Sequence, residues 1–529
     1  MDFPAVSPYA SRRSAVMADN VVATSQPLAA EAGIEMLRHG GNAVDAAIAA
    51  AITLTLVEPS GNGLGADAFA IVWDGEGLHG LNASGRAPAG WTPERFPGPA
   101  MPQRGWESVT VPGAVSAWVT LSERFGKLPF EALFEPAIRL AERGYIVTPV
   151  IAALWARAAD LLAGEPGFAA HFMPGGRAPR AGERFASRDH AATLTAIAES
   201  RGRAFYEGAL AERIAAHAAQ HGAALTLDDL ATHRADWVGT LSGSFDGAAL
   251  HEIPPNGQGI VACMALGILE HTAIRDHGPD DPRAFHLMIE AVKLALRDAE
   301  AHVADEAAMA VPTAALLDPA YLAERARLID PDRARDQQSG APRHGGTVYL
   351  TAADASGMMV SFIQSNYMGF GSGVVVPGTA IGLQNRGFGF TTAEGHPNRV
   401  GPGKRPFHTI IPGFLMRDGA PVMSFGVMGG PMQAQGHVQM VLRTQLWGQD
   451  VQAAADAPRW RVTHGLGVAC ETSVALDTLE TLGAMGHHLS LEAPDSAFGF
   501  GGAQLIHRLP GGGYAAGSDP RKDGCAIGY

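Results

Sequence analysis

Few cysteines, no excess of positive charge and no long apolar run occur in this sequence, and each absence excludes a class of protein. The three cysteines, Cys263, Cys470 and Cys525, lie far apart and form neither a disulfide framework nor a metal-ligand spacing. Such sparse usage fits a reducing compartment. The formal net charge of −14 argues against a nucleic-acid partner, because phosphate binding needs a basic surface.

Membrane and export signals are also missing. The longest apolar stretch, residues 43–57, is too short to span a membrane and contains Asp45. The residues before Val21 lack the apolar core of a signal peptide. We therefore expect a cytoplasmic protein that does not bind membranes.

The 529 residues are 47% hydrophobic, which is enough for a large buried core. Sequence patterns from Ala114 to about Ala334 mainly predict helices, whereas those from Thr347 onward mainly predict strands. Between them, residues 330–344 are polar and contain Pro and Gly, as in an exposed linker. The sequence thus predicts an α+β protein whose helix-rich N-terminal part and strand-rich C-terminal part meet at Gly346–Thr347.

That junction reads HGGT at residues 344–347, followed by β-type runs at 348–353 and 358–365. We interpret Thr347 as a nucleophile that becomes N-terminal when the chain cleaves itself after Gly346. A free α-amine titrates near pH 8 and can serve as the base for its own hydroxyl, roughly at neutral pH. Gly346 carries no side chain to obstruct the attack.

The turn between the two β-type runs decides what stands opposite Thr347. A two-residue turn at Ala355-Ser356 predicts Gln364 opposite Thr347, with Ser365 one residue along as a hydroxyl that orients the nucleophile. A slip by one residue reverses the faces. On these local features alone, an ordinary β-branched strand residue is the simpler explanation of Thr347.

Two loops leave alternatives open. The glycine-rich residues 59–65 (PSGNGLG) run from a helix to a strand and lack a phosphate-loop lysine, which favours a tight turn over a nucleotide site. Arg86 is the only strong cation of a Gly/Ser/Ala loop. It is either a solvated surface group or a fork for a substrate carboxylate.

Short motifs extend in a fixed order over almost the whole chain: 23–29 (ATSQPLA), 40–47 (GGNAVDAA), 57–59 (VEP), 111–113 (VPG), 254–257 (PPNG), 401–406 (GPGKRP) and 517–521 (GSDPR). Together they resemble the γ-glutamyltranspeptidase family of N-terminal-nucleophile hydrolases. The resemblance implies one four-layer αββα sandwich and an autocleaved precursor. Its large chain, residues 1–346, and small chain, residues 347–529, would form a heterodimer that can dimerise further.

The resemblance also assigns roles to individual residues. Thr347 aligns with the family's nucleophile, and Ser365 falls where the family has a second threonine bonded to that nucleophile. Gly429 and Gly430 match the glycine pair whose backbone N–H groups form the oxyanion hole, which is usually a large electrostatic contribution.

The substrate pocket departs from the family pattern. Where the family has an amino-binding aspartate, a glutamine, an asparagine, a serine pair and a carboxylate-binding arginine, this chain has Gly389, Arg386, Tyr367, His408-Thr409 and Ser84, with Arg86 two residues beyond Ser84. A pocket that lacks its carboxylate is a costly place for an ammonium group. The resemblance is therefore to a diverged branch that includes oxamate amidohydrolase and cephalosporin-acylase-like enzymes.

The expected function is a self-processing threonine amidohydrolase that cleaves a small, carboxylate-bearing, oxamate-like amide through an acyl-enzyme. Arg86, Arg386, His408, Tyr367 and Thr409 are the candidate substrate-binding residues, although Tyr367 and His408 equally suit a packing role. The alternatives are a γ-glutamyltransferase or glutathione hydrolase, and an uncleaved, non-enzymatic binding protein. No metal or organic cofactor is implied.

Overall fold

A computed structural model describes residues 13–336, 346–494 and 499–529. The strands are Val16–Ala18 (β1), Val21–Thr24 (β2), Asp67–Trp73 (β3), Leu78–Ala83 (β4), Tyr145–Ile146 (β5), Arg184–Phe185 (β6), Asp236–Trp237 (β7), Leu241–Phe245 (β8), Ala248–Glu252 (β9), Gly346–Ala353 (β10), Met359–Tyr367 (β11), Val375–Val376 (β12), Ile381–Gly382 (β13), Gly413–Arg417 (β14), Ala420–Met428 (β15), Trp460–Val462 (β16), Gly467–Glu471 (β17), His488–Glu492 (β18), Gly502–Arg508 (β19), Tyr514–Ser518 (β20) and Cys525–Gly528 (β21).

The α-helices are Pro27–Arg38 (α1), Ala43–Val57 (α2), Ala114–Phe125 (α3), Glu135–Arg143 (α4), Pro149–Leu162 (α5), Phe168–Phe172 (α6), Arg188–Ser200 (α7), Arg203–Tyr206 (α8), Ala209–Gln220 (α9), Leu227–Thr232 (α10), Gly259–Leu269 (α11), Pro282–His302 (α12), Thr313–Leu316 (α13), Pro319–Ala326 (α14), Met432–Val441 (α15), Val451–Asp456 (α16) and Leu476–Ala484 (α17). The mixed helix and strand content confirms the predicted α+β class. None of the helices within the described ranges has the length and hydropathy of a membrane span. The predicted linker lies outside the described residues from 337 onward.

Two seven-stranded sheets dominate the fold. Sheet I has the strand order β1-β20-β19-β15-β14-β9-β8, and sheet II has the order β21-β2-β10-β11-β3-β4-β7. Strands that precede Gly346–Thr347 and strands that follow it occur in both sheets. The two parts of the chain therefore share their sheets, and β10, which carries the junction, lies inside sheet II.

Strand β10 is buried along its whole length. Its alternate residues enter different apolar clusters: Val348 and Leu350 pack with residues of α2 and α3, whereas Tyr349 packs with residues of both sheets. A third cluster joins residues of α11, α12 and α15 to residues of sheet I. Burial on both faces fits the sequence of β10, GTVYLTAA, which shows no alternation of polar and apolar residues.

The β10–β11 hairpin corrects the predicted register by one residue. Val348 pairs with Gln364 and Ala353 with Met359, so the turn contains residues 355–357 instead of Ala355-Ser356 alone. Gly357 has φ +97°, a conformation that other residues rarely adopt. The prediction of Gln364 opposite Thr347 was therefore wrong. The register shifts again at Thr347, between the pairs Val348–Gln364 and Gly346–Tyr367, and Ser365 is the residue whose hydroxyl meets that of Thr347.

Candidate active site

Two hydroxyl groups meet at the start of β10. Thr347 Oγ1 lies 3.0 Å from Ser365 Oγ and 2.8 Å from the carbonyl oxygen of Gly346. Ser365 Oγ lies 2.8 Å from the same carbonyl oxygen. Thr347 and Ser365 are both fully buried. The predicted nucleophile and its predicted hydroxyl partner are thus brought together around the peptide bond that the sequence marks for cleavage.

The hydrogen bonds that Ser365 accepts restrict where its one hydroxyl proton can be donated. Its hydroxyl oxygen accepts from Tyr367 N at 2.8 Å and from Arg386 Nη2 at 3.1 Å. A hydroxyl has one proton and two acceptor positions. Ser365 must therefore donate toward Gly346 O or Thr347 Oγ1, an arrangement that suits polarising the carbonyl at the predicted cleavage site or orienting the predicted nucleophile.

The glycine-rich loop of residues 59–65 packs directly against this peptide. A Cβ atom on Gly61 would lie 3.0 Å from Thr347 O, and one on Gly65 would lie 2.6 Å from Gly382 O. Asn366 N and Phe370 N donate to Gly61 O and Ser60 O. Close backbone approach, the structural alternative that the sequence favoured over a nucleotide site, is what the loop provides.

A side chain at position 346 is expected to slow self-cleavage. A Cβ atom on Gly346 would lie 2.9 Å from Ser60 O and 3.2 Å from Gly369 N. Both are backbone atoms, so the scissile peptide would have to shift away from Ser365, and such misplacement costs about tenfold to 100-fold in rate. Denaturing electrophoresis over time should show the full-length chain of Gly346→Ala persisting after the wild type has been converted.

Gly278→Ala is the matched control, because a Cβ atom there meets nothing within 4 Å. Equal cleavage rates in the two glycine variants would contradict the steric role assigned to Gly346.

Arg386 lies behind the hydroxyl pair and is fully buried. Its guanidinium donates to Thr409 Oγ1 at 2.9 Å and to Ser365 Oγ, and its central carbon lies 4.3 Å from the ring centroid of Tyr367. Its Nε has no hydrogen-bond partner among the described residues. Burial lowers the pKa of Arg386 to about 10, and the charge of Asp67 opposes that shift. Arg386 therefore remains a cation at neutral pH.

Tyr367 holds this arrangement with an unusual backbone. Its φ of +77° is rare for a residue with a side chain. In that conformation its N–H points at Ser365 Oγ while its ring lies against Arg386. A cation over an aromatic face is attracted by the ring quadrupole. Tyr367 therefore contacts both the predicted catalytic and the predicted binding residues.

Asp67 supplies the negative charge of the cluster. It pairs with Ser365 across the neighbouring strands β3 and β11. Its Oδ1 accepts from Gly85 N and Gly113 N, each at 3.2 Å, and its Oδ2 lies 3.1 Å from His408 Nε2. Burial raises the pKa of Asp67 to about 7, although the charge of Arg386 and the two backbone donors lower it.

His408 is neutral in this setting. Burial lowers the pKa of His408 well below its usual value, and the charges of Arg386 and Arg405 act in the same direction. Its Nδ1 accepts from Ile410 N at 3.4 Å, which assigns the ring proton to Nε2, the donor to Asp67. His408 therefore reaches the nucleophile's surroundings through Asp67.

The predicted oxyanion glycines connect β15 to α15. Gly429 and Gly430 have φ values of +137° and +63°, which favour glycine. Gln258 Nε2 donates to Gly430 O at 2.9 Å and to Thr409 O at 2.5 Å. From the first turn of α15, Gln433 Nε2 lies 3.4 Å from Thr347 Oγ1. The glycine pair is thus tied to the same residues that surround Thr347, at a helix N-terminus that favours negative charge.

Comparison with known proteins now decides the family. The family model described as gamma-glutamyltranspeptidase matches residues 29–529. The chain belongs to the γ-glutamyltranspeptidase family. The predicted resemblance is confirmed, and with it the prediction that the chain is an enzyme.

Relatives of this family member include two curated proteins and one solved structure of similar length. It is 36% identical to the oxamate amidohydrolase proenzyme of Klebsiella pneumoniae, over 95% of this chain and 97% of that protein. It is 35% identical to the glutathione hydrolase-like YwrD proenzyme of Bacillus subtilis, over 98% and 99% of the two proteins. The crystal structure of a cephalosporin acylase from Bacillus halodurans is 46% identical, covers 100% of this chain and 99% of its own, and superposes with a TM-score of 0.95.

Arg86 is a predicted site residue that the structure of this family member does not bring to Thr347. Its half-exposed side chain donates to Gly403 O at 3.1 Å and lies 3.5 Å from Asp305 Oδ2 and 3.9 Å from Asp236 Oδ2. These contacts match the solvated surface group that the sequence left open. Its substrate-binding role stays a prediction.

Sequence reasoning missed Asp67, Gln258 and Gln433. Asp67 could have been noticed in the sequence, because it is an acid within an apolar strand and burying an unpaired charge there is costly. The two glutamines gave no local signal, since each is recognisable only from backbone partners far away in the chain.

A separate cluster outside the site contains His286, Glu290 and His487, whose ligand atoms lie within 4.8 Å of one another. Lys293 Nζ already neutralises Glu290 at 2.6 Å, and His286 Nδ1 lies 2.9 Å from His487 Nε2. We assign this cluster no metal.

Proposed function

We propose that this member of the γ-glutamyltranspeptidase family is a self-processing threonine amidohydrolase that hydrolyses a small amide bearing a carboxylate. The observation that carries the proposal is the buried guanidinium of Arg386 beside Thr347. Its hydrogen bonds go to the neutral hydroxyls of Ser365 and Thr409, and its Nε is unpaired among the described residues. A buried cation in this state favours an anionic ligand.

Self-processing comes first. Thr347 Oγ1 attacks the carbonyl carbon of Gly346, Ser365 stabilises the developing negative charge on Gly346 O, and the hydroxyl proton moves to the departing nitrogen of Thr347. Water then hydrolyses the resulting ester. The products are a large chain of residues 1–346 and a small chain of residues 347–529, which we propose remain together as a heterodimer within one four-layer αββα domain.

Substrate hydrolysis reuses the same hydroxyl. The freed α-amine of Thr347 accepts the proton of Oγ1 as that oxygen attacks the substrate carbonyl, and the backbone N–H groups of Gly429 and Gly430 hold the oxyanion. The amine product leaves with that proton, and water releases the carboxylic acid from the acyl-enzyme. The charge of Arg386, with Thr409 beside it, selects the carboxylate end of the substrate.

The similar proteins support this reaction class, since they include an amidohydrolase and a cephalosporin acylase. The free cysteines Cys263, Cys470 and Cys525 support a reducing compartment, and we propose the cytoplasm.

The decisive experiment combines processing with substrate choice. Denaturing electrophoresis of the purified protein should give two bands, and the smaller should begin with the residues Thr-Val-Tyr-Leu. Ammonia release from oxamate should then exceed p-nitroaniline release from γ-glutamyl-p-nitroanilide. Efficient γ-glutamyl turnover would favour the glutathione hydrolase or transferase alternative, and a persistent full-length band would favour the uncleaved binding protein.

A further inference from the structure

The side-chain amide of Gln433 is held in one orientation beside Thr347. Gln433 lies in the first turn of α15 and is fully buried. Its Oε1 accepts from Ile411 N at 3.0 Å, and its Nε2 lies 3.4 Å from Thr347 Oγ1. The shape of an amide does not distinguish its oxygen from its nitrogen, but the hydrogen bond from Ile411 does. The donor end of the amide therefore faces the hydroxyl of Thr347.

One N–H group of this amide has no partner among the described residues. A glutamine amide carries two N–H donors, and the contact with Thr347 Oγ1 uses at most one of them. The backbone N–H groups of Gly429 and Gly430 are also buried, and neither donates to a residue within the described ranges. Buried N–H groups without partners are rare. Three of them within five consecutive residues indicate a place for an acceptor.

The distance between Gln433 and Thr347 decides what the spare N–H group can reach. In the proposed hydrolysis, Thr347 Oγ1 bonds to the substrate carbonyl carbon, and the oxygen on that same carbon takes the negative charge. The oxyanion is then only two bonds away from Oγ1. Oxyanion donors act at about 2.7–3.1 Å, so an amide nitrogen 3.4 Å from Oγ1 is close enough to serve as one.

Self-cleavage involves a different carbonyl group. The oxygen of Gly346 lies 2.8 Å from Ser365 Oγ and 2.8 Å from Thr347 Oγ1, and no hydrogen bond within the described part of the chain joins it to Gln433. In the proposed function, Ser365 stabilises the charge on that oxygen. The donors at the start of α15 are therefore left for the second reaction, the hydrolysis of the substrate.

We propose that Gln433 is a further catalytic residue of substrate hydrolysis, whose Nε2 donates to the oxyanion together with Gly429 N and Gly430 N. The inference rests on the proposed function, because it takes the attack by Thr347 as given. As the bond from Oγ1 to carbon forms, the π electrons of the carbonyl move to its oxygen, and the Oγ1 proton moves to the α-amine. When the carbonyl forms again, the bond to the leaving amine breaks, and that amine takes the proton.

The first test is Gln433→Met, which keeps the length of the side chain and removes both N–H donors. The substrate is whichever of oxamate and γ-glutamyl-p-nitroanilide the wild type hydrolyses. We expect kcat of the processed variant to fall by about 100-fold with KM almost unchanged, because the donor acts on the transition state. Self-cleavage, followed over time by denaturing electrophoresis, should keep its wild-type rate.

Gln435→Met is the matched control in the same helix. Gln435 is fully buried, and its Oε1 accepts from Val462 N at 2.7 Å, as the Oε1 of Gln433 accepts from Ile411 N. Each substitution leaves one buried backbone N–H without its partner, so both variants should lose stability in thermal unfolding. Only Gln433→Met should lose kcat, because the hydrogen bonds of Gln435 within the described ranges do not include Thr347.

Gln433→Glu adds a measurement that a packing role would not affect. The carboxyl oxygen facing Ile411 N still accepts, whereas the oxygen facing Thr347 donates only while it carries a proton. Burial favours the protonated carboxyl. We expect kcat relative to wild type to fall by about tenfold or more as pH rises through the pKa of the introduced carboxyl, because the ionised group cannot donate and repels the oxyanion. The ratio cancels the titration of groups that both proteins share.

Each result supports or overturns the inference. An unchanged kcat in Gln433→Met would overturn it, and so would an equal loss of kcat in Gln435→Met, because the loss would then come from packing. A ratio for Gln433→Glu that does not change with pH would also overturn it. All three results leave the proposed function standing. If the wild type cleaves itself but hydrolyses neither amide, the proposed function fails and the inference fails with it.

Discussion

Thr347→Ala is expected to yield a full-length, inactive chain. The hydroxyl of Thr347 is the proposed nucleophile of both reactions, and the described groups around it, Ser365 and Gln433, orient it without replacing it. Removing a nucleophile costs on the order of 10⁴-fold or more in kcat. Denaturing electrophoresis after prolonged incubation and an assay of amide hydrolysis on the same sample measure the two losses separately.

Thr347→Ser is the matched control for this prediction. It keeps the hydroxyl and the α-amine and removes only a methyl group, so the chain should still divide and should retain part of its activity. Cleavage between residues 346 and 347 in Thr347→Ala, or turnover by that variant, would remove Thr347 from the mechanism.

The site was partly predictable because its residues differ in how local their signals are. The ordered motifs predicted Thr347 and Ser365 as neighbours, and their hydroxyl oxygens lie 3.0 Å apart, even though the turn prediction placed Gln364 opposite Thr347. The error arose at Gly357, whose positive φ adds one residue to the turn and cannot be read from an Asp-Ala-Ser-Gly sequence alone. The motif order therefore carried more information than the local register.

Residues that act through distant partners escaped prediction. Asp67 is conspicuous as an acid in an apolar strand, but its partners Gly85, Gly113 and His408 cannot be assigned from the sequence, and His408 lies 341 residues further along the chain. Arg86 illustrates the opposite case. Its loop made it conspicuous, yet its hydrogen bonds and ion pairs lie at the surface, because acidic side chains from separate segments converge on it.

The mixed helix and strand content could be predicted from composition and sequence pattern. The order in which the strands pair could not. Helix-like and strand-like segments were recognisable from their periodicity. The sharing of both sheets by the two parts of the chain depends on long-range pairing such as that of β2 with β10. No local pattern encodes that pairing.

Arg386→Gln is expected to abolish the preference for a carboxylate. The measurement compares oxamate with oxamide, its uncharged counterpart in which a carboxamide replaces the carboxylate, on one enzyme preparation. The ratio of their kcat/KM values is then independent of how much precursor has been processed. Loss of a buried, charge-assisted pair should lower that ratio by about 100-fold, mainly through KM for oxamate.

The neighbouring acid, Asp67, is expected to limit the loss of stability caused by Arg386→Gln. Arg386 is a positive charge that lowers the pKa of Asp67, while burial raises it. Without Arg386 the pKa of Asp67 should rise further, so that at neutral pH the carboxyl becomes protonated and avoids being a buried, uncompensated charge. We therefore expect Arg386→Gln to fold, which thermal unfolding of wild type and variant at pH 7 can verify.

Arg86→Gln is the companion variant, because Arg86 and Arg386 are the two arginines predicted to bind the substrate carboxylate. If Arg386 holds the carboxylate, the oxamate-to-oxamide ratio falls in Arg386→Gln and persists in Arg86→Gln. The reverse pattern would assign the carboxylate to Arg86 and reduce Arg386 to a structural cation between Asp67 and the Tyr367 ring. A fall in both variants would mean that the positive charges of Arg86 and Arg386 attract the carboxylate together. The contribution of the exposed Arg86 would then weaken as salt is added.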